Sequence, residues 1–288
     1  MSLTHTFLLA ARRQEIAELQ ALNGTCELVR RTGDLIHALQ TERGSANACL
    51  AAQAPIFREN WHQKSATTDI AIGNLYALLN DPVAGSSRLY TRIALVVHAL
   101  DGLAAHRRQV TALEASPVES ATHYTAMIDT LIALIFEAID ATVEPDVSRL
   151  LLALFNLIEG KEYAGLERAN GVRLLAAQQA DPADQQMLTQ LIERQEQSLA
   201  RFESLCGDDV RAQWVALQTT LPLHELERLR RQLLTSVHTL PKTLIDTWFD
   251  VCSTRIDSLH LVERHLADLI EAACRSRIAE TEALLHTQ

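Results

Sequence analysis

The sequence predicts an all-α fold, because its composition favours helices, its apolar residues recur at helical spacing and its prolines stand where helices begin. Apolar residues make up 48% of the 288 residues, whereas glycine (10 residues) and aromatic residues (5%) are scarce. A chain rich in alanine, leucine, glutamate, glutamine and arginine and poor in glycine favours helices. No segment shows the alternation of β-branched and aromatic residues that is typical of strands.

The seven prolines divide the chain into segments with apolar residues at three- and four-residue steps. Most follow a polar residue, and proline at the first helical position after such a residue marks a helix start: Asp81-Pro82, Ser116-Pro117, Glu144-Pro145 and Asp181-Pro182. Short loops between long amphipathic helices favour antiparallel packing. We therefore predict eight to nine helices in two four-helix bundles, with a long C-terminal helix over 243–285.

Gly24, within Asn23-Gly24-Thr25, is a candidate break in the first helical segment. It divides the chain into an N-terminal helix over 1–24 and a helical domain over 25–270, while 271–288 form the end of the last helix. A weak internal repeat is also visible. Leu50 lies eight residues after Glu42 of Glu42-Arg43, and Leu175 lies eight residues after Glu167 of Glu167-Arg168. Chance is an alternative explanation in a chain rich in leucine.

Charge and cysteine content exclude several classes of protein. A net charge of −10 without an extended basic region argues against direct nucleic-acid binding. Five cysteines with no C-x-x-C spacing indicate reduced thiols and a cytoplasmic location. No uninterrupted apolar run of the length that spans a membrane occurs, and the N-terminus lacks the features of a signal peptide. Neither a nucleophile motif nor a metal-ligand spacing is present, so we expect no enzyme, no metal and no cofactor.

Three arginines fall on helix faces that are otherwise apolar: Arg43, Arg168 and Arg230. A buried guanidinium is costly unless it is paired with a negative charge. One interpretation pairs these arginines with carboxylates of the chain, the candidates being Glu42, Glu162 and Glu167. The other is a small anion from solution, because a planar bidentate guanidinium matches a planar oxyanion such as nitrate.

Three blocks of residues resemble the nitrate- and nitrite-sensing (NIT) domain family. The block similar to its opening signature is Leu35-Ile36-His37-Ala38-Leu39-Gln40-Thr41-Glu42-Arg43-Gly44-Ser45-Ala46-Asn47, followed by Thr68-Asp69. Its second signature is matched by Glu162-Tyr163-Ala164-Gly165-Leu166-Glu167-Arg168-Ala169. The third match comprises Leu229-Arg230, Trp248-Phe249 and Arg255-Ile256-Asp257-Ser258-Leu259. Together they cover most of the chain, in the same order as in the family.

The resemblance implies an all-helical sensor of two four-helix bundles that binds nitrate or nitrite through arginines. Arg43 and Arg230 match positions associated with the ligand, and Arg168 lies in the second signature. Candidates for supporting roles are Ser45, Asn47 and His37, for which capping or packing within the helix is the alternative. Nitrate and nitrite are both small and planar, and the sequence does not distinguish them.

The implied partners are a small inorganic anion and either a protein partner or a second copy of the chain. A transcription antitermination regulator in this family carries an RNA-binding domain after its sensor. The residues that follow Trp248 are predicted to form one helix, so no output domain is expected. We expect a cytoplasmic sensor that signals by reorienting helices. The alternative is a structural or adaptor bundle whose arginines are paired internally and whose partner is a protein.

Overall fold

The computed structural model is helical throughout most of the part of the chain that it describes, and no strand occurs there. The described residues are 3–52, 55–80, 85–140, 144–220, 222–235 and 240–286. The all-α class predicted from the sequence is therefore confirmed.

The helices follow one another with short connections. They are α1 (Leu3–Ala52), α2 (Pro55–Leu79), α3 (Ser87–Asp101), α4 (Leu103–Thr111), α5 (Pro117–Asp140), α6 (Pro145–Ala177), α7 (Pro182–Leu205), α8 (Asp208–Thr220), α9 (Leu223–Thr235) and α10 (Ile245–His286). Gly102 alone separates α3 from α4, and its backbone stays near the helical region (φ −71°, ψ −20°). With α3 and α4 counted as one interrupted helix, the described residues agree with the predicted eight to nine helices.

The prolines mark helix starts as predicted. Pro117, Pro145 and Pro182 are the first residues of α5, α6 and α7. At α7 the side chain of Asp181 accepts a hydrogen bond of 2.8 Å from the backbone N–H of Asp184, which satisfies one of the free donors of the first turn. The predicted start at Asp81-Pro82 lies outside the described residues.

The predicted break at Gly24 is wrong, because α1 continues through it from Leu3 to Ala52. Leu19, Leu22 and Cys26 are all buried, so the apolar face of the helix is continuous on both sides of the glycine. A glycine costs a helix only about 1 kcal/mol relative to alanine, and packing of this face outweighs that cost.

The chain divides into two compact units. Unit 1 comprises Met1–Leu151 and Ala267–Gln288, and unit 2 comprises Leu152–Leu266. In unit 1, α1 packs against α2 and α5, and α3 packs against α5. Its core is built from buried aliphatic side chains, among them Leu28, Leu35, Leu39, Leu75, Ile128 and Leu131.

Unit 2 has a core of its own, to which α6, α7, α9 and α10 contribute. Its buried cluster includes Leu174, Leu188, Leu226, Leu233, Leu240 and Trp248. The helix α8 packs on α7 through an edge-to-face contact between Trp214 and Phe202, whose ring centroids are 5.5 Å apart. The long helices α6 and α10 each contribute residues to both units.

Two further predictions concern the state of the cysteines and the absence of a membrane-spanning segment. All five cysteines are free and buried, as predicted for reduced thiols. By length and composition α5 is apolar enough to cross a membrane, but half of its most apolar stretch is buried inside the protein. The core helix of a globular protein gives the same result, so this single helix is weak evidence for a membrane span.

Candidate functional site

A buried carboxylate, Glu42 of α1, organises the polar centre of unit 1. Arg107 of α4 binds it with two parallel hydrogen bonds, Nε to Oε1 at 2.8 Å and Nη2 to Oε2 at 2.9 Å. The hydroxyl groups of Tyr124 and Ser65 also donate to Oε1, at 2.8 and 3.0 Å. The remaining Nη1 of Arg107 reaches the exposed Asp69 at 2.6 Å. The carboxylate is thus fully satisfied by side chains from three other helices.

This network shifts the pKa of its members in opposite directions. Burial by itself would raise the pKa of Glu42, but the hydrogen bonds and charge of Arg107 hold it below its usual value. Burial and the neighbouring charge of Glu42 raise the pKa of the Tyr124 phenol. At neutral pH Glu42 is therefore ionised and Tyr124 is a neutral donor, which is the state that the hydrogen bonds require.

Arg43, the next residue after Glu42, is buried as predicted, with 3% of its surface exposed. Its Nη1 donates a hydrogen bond of 2.8 Å to the hydroxyl of Thr125 on α5. Ser45 donates its hydroxyl to the backbone carbonyl of Glu42 at 3.0 Å, so its observed bond is the one expected of a serine inside a helix.

The two other supporting candidates also lie on α1. His37 is partly buried. Asn47 is partly buried too, and its buried side-chain oxygen has no hydrogen-bond partner among the described residues. An unsatisfied buried acceptor calls for an explanation, but a carbonyl oxygen repels an anion. Its amide nitrogen is the atom that suits the predicted role.

The polar centre of unit 2 is again a buried glutamate, Glu167 of α6. Arg230 of α9 binds it through Nε to Oε1 at 2.6 Å and Nη2 to Oε2 at 2.7 Å. Gln195 of α7 donates to Oε2 of the same carboxylate at 2.7 Å, and its own oxygen accepts from Arg230 at 3.2 Å. Glu227, whose side chain is 55% exposed, accepts from Nη1 of Arg230 at 2.8 Å.

Arg230 is thereby both buried and strongly held, with 3% of its surface exposed. Burial would lower the pKa of its guanidinium, but the hydrogen bonds and charge of Glu167 raise it above the usual value. The internal pairing of arginines with carboxylates is therefore realised for Arg230 with Glu167. Glu42, in contrast, pairs with Arg107 through both of its oxygens.

Arg168 lies against α10 and is only partly buried. Its Nη1 donates to the hydroxyl of Ser253 at 2.8 Å, and its guanidinium carbon lies 4.9 Å from the ring centroid of Phe249. The indole nitrogen of Trp248 donates to the backbone carbonyl of Arg168 at 3.0 Å. Gly171 permits this close approach, since a Cβ at that position would lie 2.2 Å from the indole.

The two units repeat one arrangement. In each, the glutamate of a Glu-Arg pair binds an arginine further along the chain with two hydrogen bonds, at a separation of 65 residues for Glu42 and 63 for Glu167. The arginine of each pair binds a hydroxyl further along the chain. Arg43 binds that of Thr125 on α5, 82 residues away, and Arg168 binds that of Ser253 on α10, 85 residues away. The weak internal repeat in the sequence therefore has a structural counterpart.

The structure thus places the predicted site residues in both units. Arg43 lies in unit 1, whereas Arg168 and Arg230 lie in unit 2. The sequence analysis missed Arg107, which binds Glu42. Its signal was present: Leu103, His106 and Val110 are buried at helical spacing around it, so an arginine at this point borders the core.

The chemistry of both centres suits anion binding. Guanidinium groups are planar cations that donate hydrogen bonds in a fixed plane, and those of Arg43 and Arg230 are held at buried positions of a chain with a net charge of −10. In the described part of the chain no group of three or more histidine, cysteine, aspartate or glutamate side chains is arranged to hold a metal ion.

Comparisons with known proteins agree with this chemistry. A family model described as nitrate and nitrite sensing matches residues 34–271. The chain is 31% identical over 269 residues to a nitrate regulatory protein of Klebsiella oxytoca, which covers 91% of this chain and 67% of the relative. Its structure is similar to that of the NasR transcription antiterminator, with a TM-score of 0.88 and 28% identity over 98% of this chain and 77% of that one.

Proposed function

Because the chain belongs to the nitrate- and nitrite-sensing family, we propose that it binds nitrate or nitrite directly through Arg43 and Arg230, with Arg168 as a third contact. Membership of the family makes it a nitrate- and nitrite-sensing regulator and not an enzyme. The observation that carries the proposal is the burial of Arg43 and Arg230, each only 3% exposed, at helix positions where an apolar residue would otherwise pack.

The hydrogen bonds of Arg230 leave Nη1 as the edge of its guanidinium at which a ligand can bind. A guanidinium has five N–H donors. Glu167 and Gln195 occupy Nε and Nη2. Among the described residues, the carboxylates at Nη1 have exposed side chains, Glu227 at 2.8 Å and Glu196 at 3.7 Å. The Glu227 side chain is 55% exposed, so water can solvate its carboxylate when an anion takes its place at Nη1. The buried Glu167 then fixes the plane in which Nη1 presents its hydrogens.

The proposed signal is a shift between two arrangements of the helices. A ligand changes this balance only by the difference between its affinities for the two states. An anion that draws arginines of different helices together favours the state in which they lie close. The helix α10 carries Ser253, which binds Arg168, and contributes residues to both units, so its orientation is the proposed output.

We place this sensor in the cytoplasm and propose that its output passes through a protein partner or a second copy of the chain. The relatives support a role in gene regulation, since one is named a nitrate regulatory protein and another a transcription antiterminator. The predicted absence of direct nucleic-acid contact stays a prediction for this chain.

Thermal unfolding in the presence of sodium nitrate, nitrite, chloride and sulfate tests the proposal. A ligand that binds only the folded state stabilises it by about 2.7 kcal/mol at a concentration 100 times its dissociation constant. We expect nitrate or nitrite to raise Tm well above the effect of chloride, and Arg43→Ala or Arg230→Ala to abolish that increase. Arg231→Ala, which removes an exposed arginine of the same helix α9, is the matched control.

A structural or adaptor bundle is the second candidate, and the closed pair of Arg230 with Glu167 is the observation that favours it. An adaptor with satisfied arginines predicts that nitrate, nitrite and chloride shift Tm equally. It also predicts that Arg230→Ala lowers Tm by the same amount in every salt. The first result would exclude the sensor proposal, and the second would exclude Arg230 as a ligand contact.

A further inference from the structure

Arg255 on α10 is a partly buried arginine that neither polar centre uses. Within the described part of the chain its guanidinium makes no hydrogen bond and no ion pair with a side chain. The other guanidinium groups of unit 2 that border the polar centre are bound, Arg230 by Glu167 and Arg168 by Ser253. Withdrawing a guanidinium from water without a partner is costly, so this position calls for an explanation.

The repeated arrangement shows that the fold does not require a charge at this position. Thr125 on α5 and Ser253 on α10 are equivalent, since each accepts a hydrogen bond from the arginine of a Glu-Arg pair. The residue two positions after Thr125 is Met127, a core side chain that is 3% exposed. The residue two positions after Ser253 is Arg255. Unit 2 thus has a cation where unit 1 has an apolar residue.

The preceding positions support this equivalence. Tyr124, immediately before Thr125, donates a hydrogen bond to Glu42. Cys252, immediately before Ser253, lies close enough to Glu167 that burial and this carboxylate together raise the pKa of its thiol. The two helices therefore present the same face to the glutamate of each unit, and Arg255 follows on that side of α10.

The carboxylates near Arg255 are already engaged. Burial and the positive charge of Arg230 lower the pKa of Arg255, and the opposing charges of Glu167 and Glu227 do not overcome this effect. Both glutamates hydrogen-bond to Arg230. Arg255 is therefore left without a hydrogen-bonded counter-charge among these side chains, a role that an anion from solution can fill.

Another buried cation of unit 2 shows the contrasting case. Lys161 is fully buried, and its ammonium group is bound by the carboxylate of Glu263. His260 lies beside the same carboxylate, with 3.3 Å between Nδ1 and Oε2. The fold thus supplies Lys161 with an opposite charge at hydrogen-bond distance, whereas none of the described side chains does so for Arg255.

We propose that Arg255 is a further anion-contacting residue in unit 2, which binds the sensed oxyanion together with the Nη1 edge of Arg230. This inference rests on the proposed function and deepens it, because it adds a ligand residue. Two guanidinium groups suit a planar oxyanion, since each donates hydrogen bonds in one plane and neither requires a proton from the ligand. Chloride has no such plane, so Arg255 also contributes to the discrimination between oxyanions and halides.

Calorimetric titration of the full chain with sodium nitrate and sodium nitrite tests this proposal, with the variant Arg255→Met as its centre. Methionine is the residue that unit 1 has at the equivalent position, so the variant is expected to fold and to keep or raise Tm without ligand. We expect its affinity for the anion to fall about tenfold or more, as for the loss of a charge-assisted hydrogen bond. Arg264→Met, an exposed arginine of the same helix, should leave the affinity unchanged.

Arg255→Lys separates a contact from a packing role, because lysine keeps the charge but loses the planar pair of donors. We expect an intermediate affinity and a reduced preference for nitrate or nitrite over chloride. If Arg255→Met unfolds, Arg255→Lys carries the test alone. Binding by either folded variant with wild-type affinity and selectivity overturns the role of Arg255 and leaves the proposed function intact. Failure of the wild-type chain to bind either anion overturns the proposed function itself.

Discussion

The hydrogen bonds of Arg230 differ in how easily a ligand can replace them. Those to Glu167 and Gln195 are buried, whereas the partner at Nη1, Glu227, has a side chain that is 55% exposed. In the proposed complex an oxygen of nitrate takes the position at Nη1 that the carboxylate oxygen of Glu227 occupies here. Under this proposal Glu227 competes with the ligand.

Replacement of this competitor should strengthen binding. In Glu227→Gln the negative charge at Nη1 is lost, so we expect the affinity for nitrate or nitrite to rise roughly two- to fivefold, which corresponds to a gain of up to about 1 kcal/mol. Glu225→Gln, at a partly exposed position of α9 where the carboxylate binds Arg228, is the control and should change nothing. Unchanged or weaker binding by Glu227→Gln in a calorimetric titration would show that the anion does not use this edge.

Glu42 is predicted to be the residue of unit 1 most sensitive to loss of charge. Glu42→Gln leaves the guanidinium of Arg107 without its buried counter-charge, so we expect a loss of about 3 kcal/mol in the free energy of unfolding. Asp69, which binds the same arginine, has a side chain that is 61% exposed, and Asp69→Asn should cost less than about 1 kcal/mol. Urea unfolding of the two variants measures the difference, and equal effects would contradict this account of Glu42.

At the scale of the helices, α6 lies directly against the Trp248 side chain of α10 at Gly171. A Cβ there would lie 2.2 Å from the Trp248 indole, so Gly171→Ala forces the buried ring to move and should cost about 1–3 kcal/mol. Gly73 in α2 has no atom within 4 Å of its Cβ position, and Gly73→Ala should instead stabilise the protein by about 0.5–1 kcal/mol. Chemical denaturation of both variants checks the opposite signs, and a neutral Gly171→Ala would show that the helices are not in contact there.

The helices were largely predictable from the sequence, because proline and its capping residues act locally. Pro117, Pro145 and Pro182 begin helices for reasons contained in a few neighbouring residues. The predicted helix break at Gly24 is wrong, because α1 is kept continuous there by the packing of its apolar face against other helices. Local signals thus identify the helix starts, whereas packing in the core decides whether a helix continues through a residue of low helix propensity.

At the scale of the whole molecule, the buried titratable groups predict a loss of stability in acid. Burial lowers the pKa of His123, and burial with the charge of His123 lowers the pKa of His106, below the ordinary value of 6.5. As the pH falls below about 6.5 the unfolded chain takes up these protons first, so stability decreases. Burial by itself would raise the pKa of Glu263, but the charge of Lys161 lowers it to about 2. The pKa of Glu42 also lies below the ordinary value of 4.5.

The stability that these two carboxylates contribute is complete above pH 4.5 and is lost as the pH falls below it. We therefore expect the urea midpoint to decline from pH 7.5 to 5.5 and more steeply below pH 4.5. A midpoint that stays constant down to pH 4 would contradict the buried, ionised state of these glutamates. Glu263→Gln should flatten the steep part of the profile.

The candidate site was predictable only in part. The periodicity of apolar residues identified Arg43 and Arg230, because a charge at a core position of a helix is visible in the sequence. Glu167, the partner of Arg230, was among the candidate carboxylates, but Arg107 and Ser253 were not foreseen. Arg107 joins Glu42 across 65 residues and Ser253 joins Arg168 across 85, and no local pattern encodes such distances. The resemblance to the family named the ligand, while the fold shows which side chains hold each arginine.

The central claim, that buried arginines bind the sensed anion, is tested most directly by isothermal titration calorimetry of the full chain with nitrate and nitrite in a chloride buffer. We predict saturable binding of at least one of these anions to the wild-type chain, and its loss in Arg43→Ala and Arg230→Ala but not in Arg231→Ala. Absence of saturable heat with both anions, or undiminished binding in folded Arg43→Ala and Arg230→Ala, would contradict the claim.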